Sequence, residues 1–244
     1  MKSLNYAEYL ELGTLLSTQN PRTPPGSESS VVLAEHFFIV AHQSCELWLK
    51  QLALDLDAAV DALAMANDPT GAEACVEYLE RSAELLRVLH DQVGVLEKLP
   101  VRHFAVFRQY LGTASGAESR QFRGLGRLLG DEQRPGRLYE EFTAAALRSG
   151  FSIAEVCRRG PATGVYHRIA ETLLDIGNRY WHWKIGHVAL VSKMLGDRRG
   201  TAGTTGADYL IGRIAMPFPE LRQLRSQLHM SVAHTGSAHE QASL

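Results

Sequence analysis

The sequence predicts an all-α fold in a single domain, on three observations. Apolar residues recur at helical spacing through several long stretches, and nowhere does a sustained period-2 run bounded by turns appear. The Pro and Gly breaks fall between these stretches without a low-complexity linker or an internal repeat that would divide the chain.

Taken in order, NYAEYLELGTLL has helical phase through Tyr6, Tyr9, Leu10 and Leu16, and NPRTPPGSESS (residues 20–30) separates it from the main body as a linker. A short amphipathic segment on a linker must dock, either on its own body or on a neighbouring subunit. Residues 35–65 carry a stripe through Phe38, Ile39, Leu49, Leu52, Leu56 and Leu63 and stop at the turn cluster NDPTG. A second long helix is expected over 72–98. Pro100 then opens a short one in VRHFAVFRQYL. After the loop GTASGAES come helices in SRQFRGLGRLLG, in YEEFTAAALR beyond the break DEQRPG, and over 152–158. The stretch 162–195 reads as the longest helix, ending at Gly196. A Gly/Thr loop, a helix near 207–215, the break MPFPE and a last helix to Leu228 complete the body. The body is thus 1–228, with 1–30 as N-terminal arm and linker. The polar tail 229–244 is expected to be disordered.

Composition narrows the partners. At 244 residues, 45% hydrophobic and net charge −2, the chain has no basic excess of the kind phosphate backbones require, which argues against nucleic acid. No run approaches the ~18 apolar residues of a membrane span. The opening residues carry charges where a signal peptide would be uninterrupted. Cys45, Cys75 and Cys157 form no CxxC pair, zinc spacing or CxxCH signature, so reduced thiols and a cytoplasmic location are expected.

Two single histidines lie on apolar helical stripes: His187 with Trp183, Leu190, Val191 and Met194, and His42 with Phe38, Ile39, Cys45 and Leu49. Each reads either as a paired core residue or as a ligand to a metal or cofactor. None of the ten histidines forms HExxH, and His182 and His187, five apart, occupy different helix faces. A lone axial histidine suits haem better than zinc, because the porphyrin supplies four of the iron's ligands. GTAGTTG lacks the GK[ST] of a phosphate cradle and follows a helix, so nucleotide binding is disfavoured. From His187 to Gly196 the helix rises ~14 Å, which a few extended residues can retrace to bring Thr201 back to the level of His187. Arg108 stands among Phe104, Phe107 and Leu111, either snorkelling to solvent or offering a guanidinium fork to a carboxylate.

Five segments, in order and with matching spacing, resemble the tryptophan 2,3-dioxygenase family. YAEYLELGTLLSTQNP is similar to its YxxYLxLDxLLxxQxP opening, and FFIVAHQSCELWLKQLALDL to its FIxxHQxxELWxK helix. FRQYLGTASGAESRQFRGLGRLLG resembles FRxxLxxASGFQSxQFRxLExxLG. HVALVSKMLGDRRGTAGTTGADYL resembles HxxxVxRxxGxxxGTGGSSGxxYL, and FPELRQLRSQL matches a C-terminal FPEL element.

The resemblance implies a helical bundle that binds haem b and uses O2 on the indole ring of a small aromatic amino acid. It implies His187 as proximal iron ligand, His42 as distal histidine facing the indole N–H, and Phe38 and Phe104 in the substrate pocket. Arg108 falls on the carboxylate-gripping arginine, Thr201 on the loop threonine over the amino-acid end, and Ser115 and Gly116 beside the cofactor. Tyr6, Tyr9 and Leu10 match residues supplied by a neighbouring subunit of a homotetramer (or homodimer).

The chain also departs from the family pattern. Phe104 replaces a tyrosine, SGFQS becomes SGAES with Ala117 and Glu118, GTGG becomes GTAG with Ala202, and Gly13 replaces an acidic residue. Two alternatives follow. One is insertion of a single oxygen into a modified tryptophan, such as β-methyltryptophan, to give a 2-oxindole. The other is a non-catalytic haem-binding protein.

Overall fold

The computed structural model describes residues 3–65, 69–196, 198, 200 and 206–227, all of one helical architecture. The helices are α1 (Tyr6–Tyr9), α2 (Leu12–Leu15), α3 (Ser29–Ala64), α4 (Pro69–Leu96), α5 (Val101–Phe107), α6 (Arg120–Leu129), α7 (Arg137–Arg148), α8 (Ile153–Arg159), α9 (Val165–Leu195) and α10 (Ala207–Ile211). Residues 219–227 form α11. Three 3-10 turns, Arg108–Tyr110, Gly116–Glu118 and Gly160–Thr163, join them. Among the described residues the only β pairing is an isolated bridge between Gly130 and Pro135.

The all-α expectation therefore holds, with corrections to individual elements. The longest helix is α3, at 36 residues against 31 for α9, because it begins at Ser29 rather than at 35. Nothing after Pro25 and Gly26 breaks a helix, so part of the expected linker forms its first turn. The N-terminal segment is two single turns instead of one helix, because Glu11 takes a left-handed conformation at φ 49°. The third helix tightens to 3-10 geometry at Arg108, where Leu111 N–H donates to the Arg108 carbonyl at 3.1 Å. The helix expected near 207–215 ends at Ile211. The carbonyls of Arg213 and Ala215 accept instead from Lys184 Nζ, both at 2.9 Å. The expected end of α9 is correct: Gly196 caps it at φ 54°.

The core lies where α3, α4 and α9 pack along their lengths, with α6, α7 and α8 closing around them. Leu52, Leu56, Leu79, Leu86, Leu89 and Leu173 are almost fully buried there. Each such side chain contributes about 2 kcal/mol of transfer free energy. A smaller apolar cluster stands apart: Val31 and Ala34 of α3, Leu99, and Phe107 of α5, packed by Phe37, Phe38, Phe104, Leu111 and Met194. Its residues come from the start of α3, from α5 and from the end of α9, so it ties together the three elements that carry the candidate site.

The linker is not slack. Glu35, itself buried, accepts the backbone N–H of Arg22 at 2.7 Å and of Thr23 at 2.9 Å, and the Thr23 hydroxyl as well. Gln43 adds a second tie, accepting from Gln19 Nε2 at 2.6 Å and donating to the Thr18 carbonyl at 3.1 Å. Beyond these hooks α1 and α2 contain no buried residue.

Candidate active site

His187 sits on α9 between two anchors. Trp183, one turn before it, is buried and meets Phe122 of α6 edge-on at 5.6 Å, and Leu190, three residues after it, is buried in the core. The turn carrying the histidine is thereby fixed. The imidazole reaches solvent, yet the surrounding protein pushes its pKa down to about 4, with the charge of His42 acting in the same direction. Both facts describe a ring desolvated by its neighbours yet open to solvent on one side. Among the described residues the His187 ring makes no hydrogen bond or ion pair. At neutral pH it therefore keeps an uncharged ring with a lone pair to give.

His42 stands on α3, close enough for its charge to act on His187. Its side chain is likewise solvent-accessible and likewise lowered in pKa by desolvation, against which the Phe38 carbonyl and the Glu46 charge both pull. Its Nδ1 lies 2.8 Å from the Phe38 carbonyl oxygen. A carbonyl can only accept, so Nδ1 carries the proton and Nε2 of the neutral ring is an acceptor. The ring also packs against Phe38 with centroids 4.0 Å apart. Phe38 in turn contacts Phe104 at 6.0 Å and Phe107 at 5.5 Å, and the latter two meet edge-to-face at 5.4 Å. These rings make a continuous aromatic wall beside His42. Arg108, half-buried, follows Phe107 directly as α5 tightens.

A third element closes in through the turn before α6. Ser115 caps it: its Oγ accepts from Ala117 N–H, and its own N–H donates to Glu118 Oε2, each at 3.3 Å. Ser119 then caps α6, accepting from Phe122 N–H at 3.1 Å, and donates to Glu46 of α3 at 3.1 Å. The Glu118 departure is thus occupied by the local turn, while Ala117 is exposed. Gly116 has open space where a Cβ would stand.

The structure therefore brings together His42, Phe38 and Phe104, sets Arg108 at the end of their wall, and places His187 within electrostatic reach of His42. Tyr6, Tyr9 and Leu10 are exposed on the arm. Thr201 and Ala202 lie outside the described residues, as does the 229–244 tail. Two contributors escape sequence reasoning, Glu46 and Ser119; the available signal for Glu46 is its position one helical turn after His42. No group of three or more His, Cys, Asp or Glu side chains among the described residues could hold a metal ion. A group that brings its own in-plane donors and asks the protein for one imidazole fits this donor set.

A family model described as tryptophan 2,3-dioxygenase matches residues 1–144 and 139–228. The chain belongs to the tryptophan 2,3-dioxygenase family. Relatives named tryptophan 2,3-dioxygenase agree. One from Burkholderia multivorans is 29% identical over 93% of this chain and 84% of its own length. One from Xanthomonas oryzae pv. oryzae is 32% identical over 92% of this chain and 88% of its own length. Membership in the tryptophan 2,3-dioxygenase family makes the chain an enzyme of the oxygenase type. No described helix is long and apolar enough to cross a membrane.

Proposed function

We propose that the protein is a haem-dependent oxygenase that adds oxygen from O2 across the indole C2–C3 bond of L-tryptophan. The observation that carries this reading is the pair of desolvated imidazoles, His42 on α3 and His187 on α9, beside one aromatic wall. Haem b would be held by His187, with Ser115 and Gly116 beside it, and when bound supplies the binding and activation of O2. The remaining work falls to the chain.

His42 Nε2 accepts the indole N–H, since its other nitrogen is committed to the Phe38 carbonyl. Phe38, Phe104 and Phe107 hold the ring plane, and Arg108 pairs with the substrate carboxylate. These contacts fix both ends of the substrate, so the reactive bond is presented in one orientation. Thr201 closes over the amino-acid end. Tyr6, Tyr9 and Leu10 complete the pocket of a neighbouring subunit in a homotetramer, which fits the lack of any buried residue in α1 and α2. The free thiols suit a reducing cytoplasm.

A second reading has its own observation. Phe104 brings no hydroxyl to the carboxylate region, and Ala117 leaves space where the family pattern has Phe. A modified tryptophan such as β-methyltryptophan, gaining one oxygen to a 2-oxindole, would use that room.

The test is to load the purified protein with haem, reduce it, and supply each substrate with 18O2. A Soret band and a tryptophan product heavier by two labelled atoms are expected. One labelled atom selects the second reading. Protein that binds no haem sinks both, and haem-loaded protein that leaves every indole unchanged favours a non-catalytic haem binder.

A further inference from the structure

We infer that Glu46 is a positioning residue which, through one carboxylate, joins the turn at Ser115–Glu118 to the distal histidine. The inference rests on the functional reading of His42 given above. Glu46 stands one helical turn beyond His42 on α3 and is half-buried. It accepts the Ser119 hydroxyl at 3.1 Å. Ser119 is simultaneously the N-cap of α6, with Phe122 N–H donating to it at 3.1 Å. The carboxylate thus grips α6 at its first residue rather than along its side. That grip fixes where the preceding turn begins.

The same negative charge faces His42. Desolvation lowers the proton affinity of that imidazole, and two groups on α3, the Phe38 carbonyl and Glu46, act against it; His187 on α9, pushed down to about 4, is uncharged at neutral pH. A substrate N–H needs the neutral ring, so whatever sets the proton affinity of His42 also sets the acid limit of substrate capture. One side chain therefore carries two separable jobs, an anchor and a charge. Glutamine keeps an acceptor for Ser119 and removes the charge, whereas alanine removes both.

The experiment compares wild type, E46Q and E46A as haem-loaded enzymes, by the pH dependence of kcat/KM for tryptophan. Histidine NMR titration of the same proteins reads His42 directly, with its signal identified by loss in H42N. In E46Q the His42 titration and the acid limb should move to lower pH by roughly half a unit, with haem retention unchanged. In E46A the same shift should be joined by faster haem loss, since the turn is released. A His42 titration that E46Q leaves in place overturns the electrostatic role, and haem loss equal in wild type and E46A overturns the anchor. If no variant turns over tryptophan while the NMR shift is present, the functional reading fails and the charge coupling stands.

Discussion

The two desolvated histidines give the molecule a pH signature. Folding lowers the proton affinity of His187 to about 4, from an ordinary 6.5, and lowers that of His42 in the same direction. Between those values the unfolded chain binds more protons than the folded one, so stability falls as pH drops from 6.5 towards 4. Thermal melts of the haem-free protein over that range should therefore fall more steeply for wild type than for H187Q, which has no ring to charge. Phe104 supports a second measurement. Its ring already stands beside Phe38 and Phe107, so Phe104→Tyr adds only a hydroxyl. If that hydroxyl reaches the substrate carboxylate, KM for tryptophan should fall about three- to tenfold, as one added hydrogen bond allows. KM for tryptamine, which lacks the carboxylate, should not move.

Elements are held to one another by identifiable polar contacts as well as by packing. Glu35 is the clearest, closing residues 22–23 onto α3 through two backbone N–H groups and a hydroxyl. Glu35→Ala leaves these donors without their buried acceptor. A loss of about 2 kcal/mol in stability is expected, with faster proteolytic cutting between residues 20 and 30. This contact also shows where sequence reading stops. The periodicity of α3 and α9 was legible because each buries a long stripe, and Gly196 was legible because a left-handed cap selects glycine. The anchoring of the Pro-rich stretch depends on a carboxylate twelve residues further on, and no local rule marks Glu35 as an acceptor rather than a solvated charge. The short α10 was overestimated for a similar reason. Lys184, on another helix, takes the carbonyls that would have continued that region. Within the site, His42, His187, Phe38 and Arg108 could be picked out from motif resemblance. The commitment of His42 Nδ1 to a carbonyl four residues earlier, and the grip of Glu46 on Ser119, appear only once the helices are assembled.

At the scale of the molecule, the buried apolar residues fall into two clusters. The large core between α3, α4 and α9 holds the bundle together, and the small cluster around Phe107 contributes the aromatic wall of the candidate site. Phe37 and Met194 pack against both. Substitutions should separate accordingly. Leu86→Ala, fully buried in α4, should cost about 3 kcal/mol in denaturant unfolding while leaving KM of the folded fraction unchanged.

The arm has a consequence of another kind. Among the described residues its outermost hydrogen-bonded tie to the body is at Thr18, and Tyr6, 75% exposed, stands twelve residues earlier along the chain. Even fully drawn out, that length spans only about 40 Å. Any surface that covers Tyr6 and Tyr9 must lie inside this radius, so under the proposed docking on a neighbouring copy the arm would search a small volume at high local concentration. Its occupancy is then governed by tether length, and lengthening the 10–18 segment would dilute the arm without altering a single contact it makes.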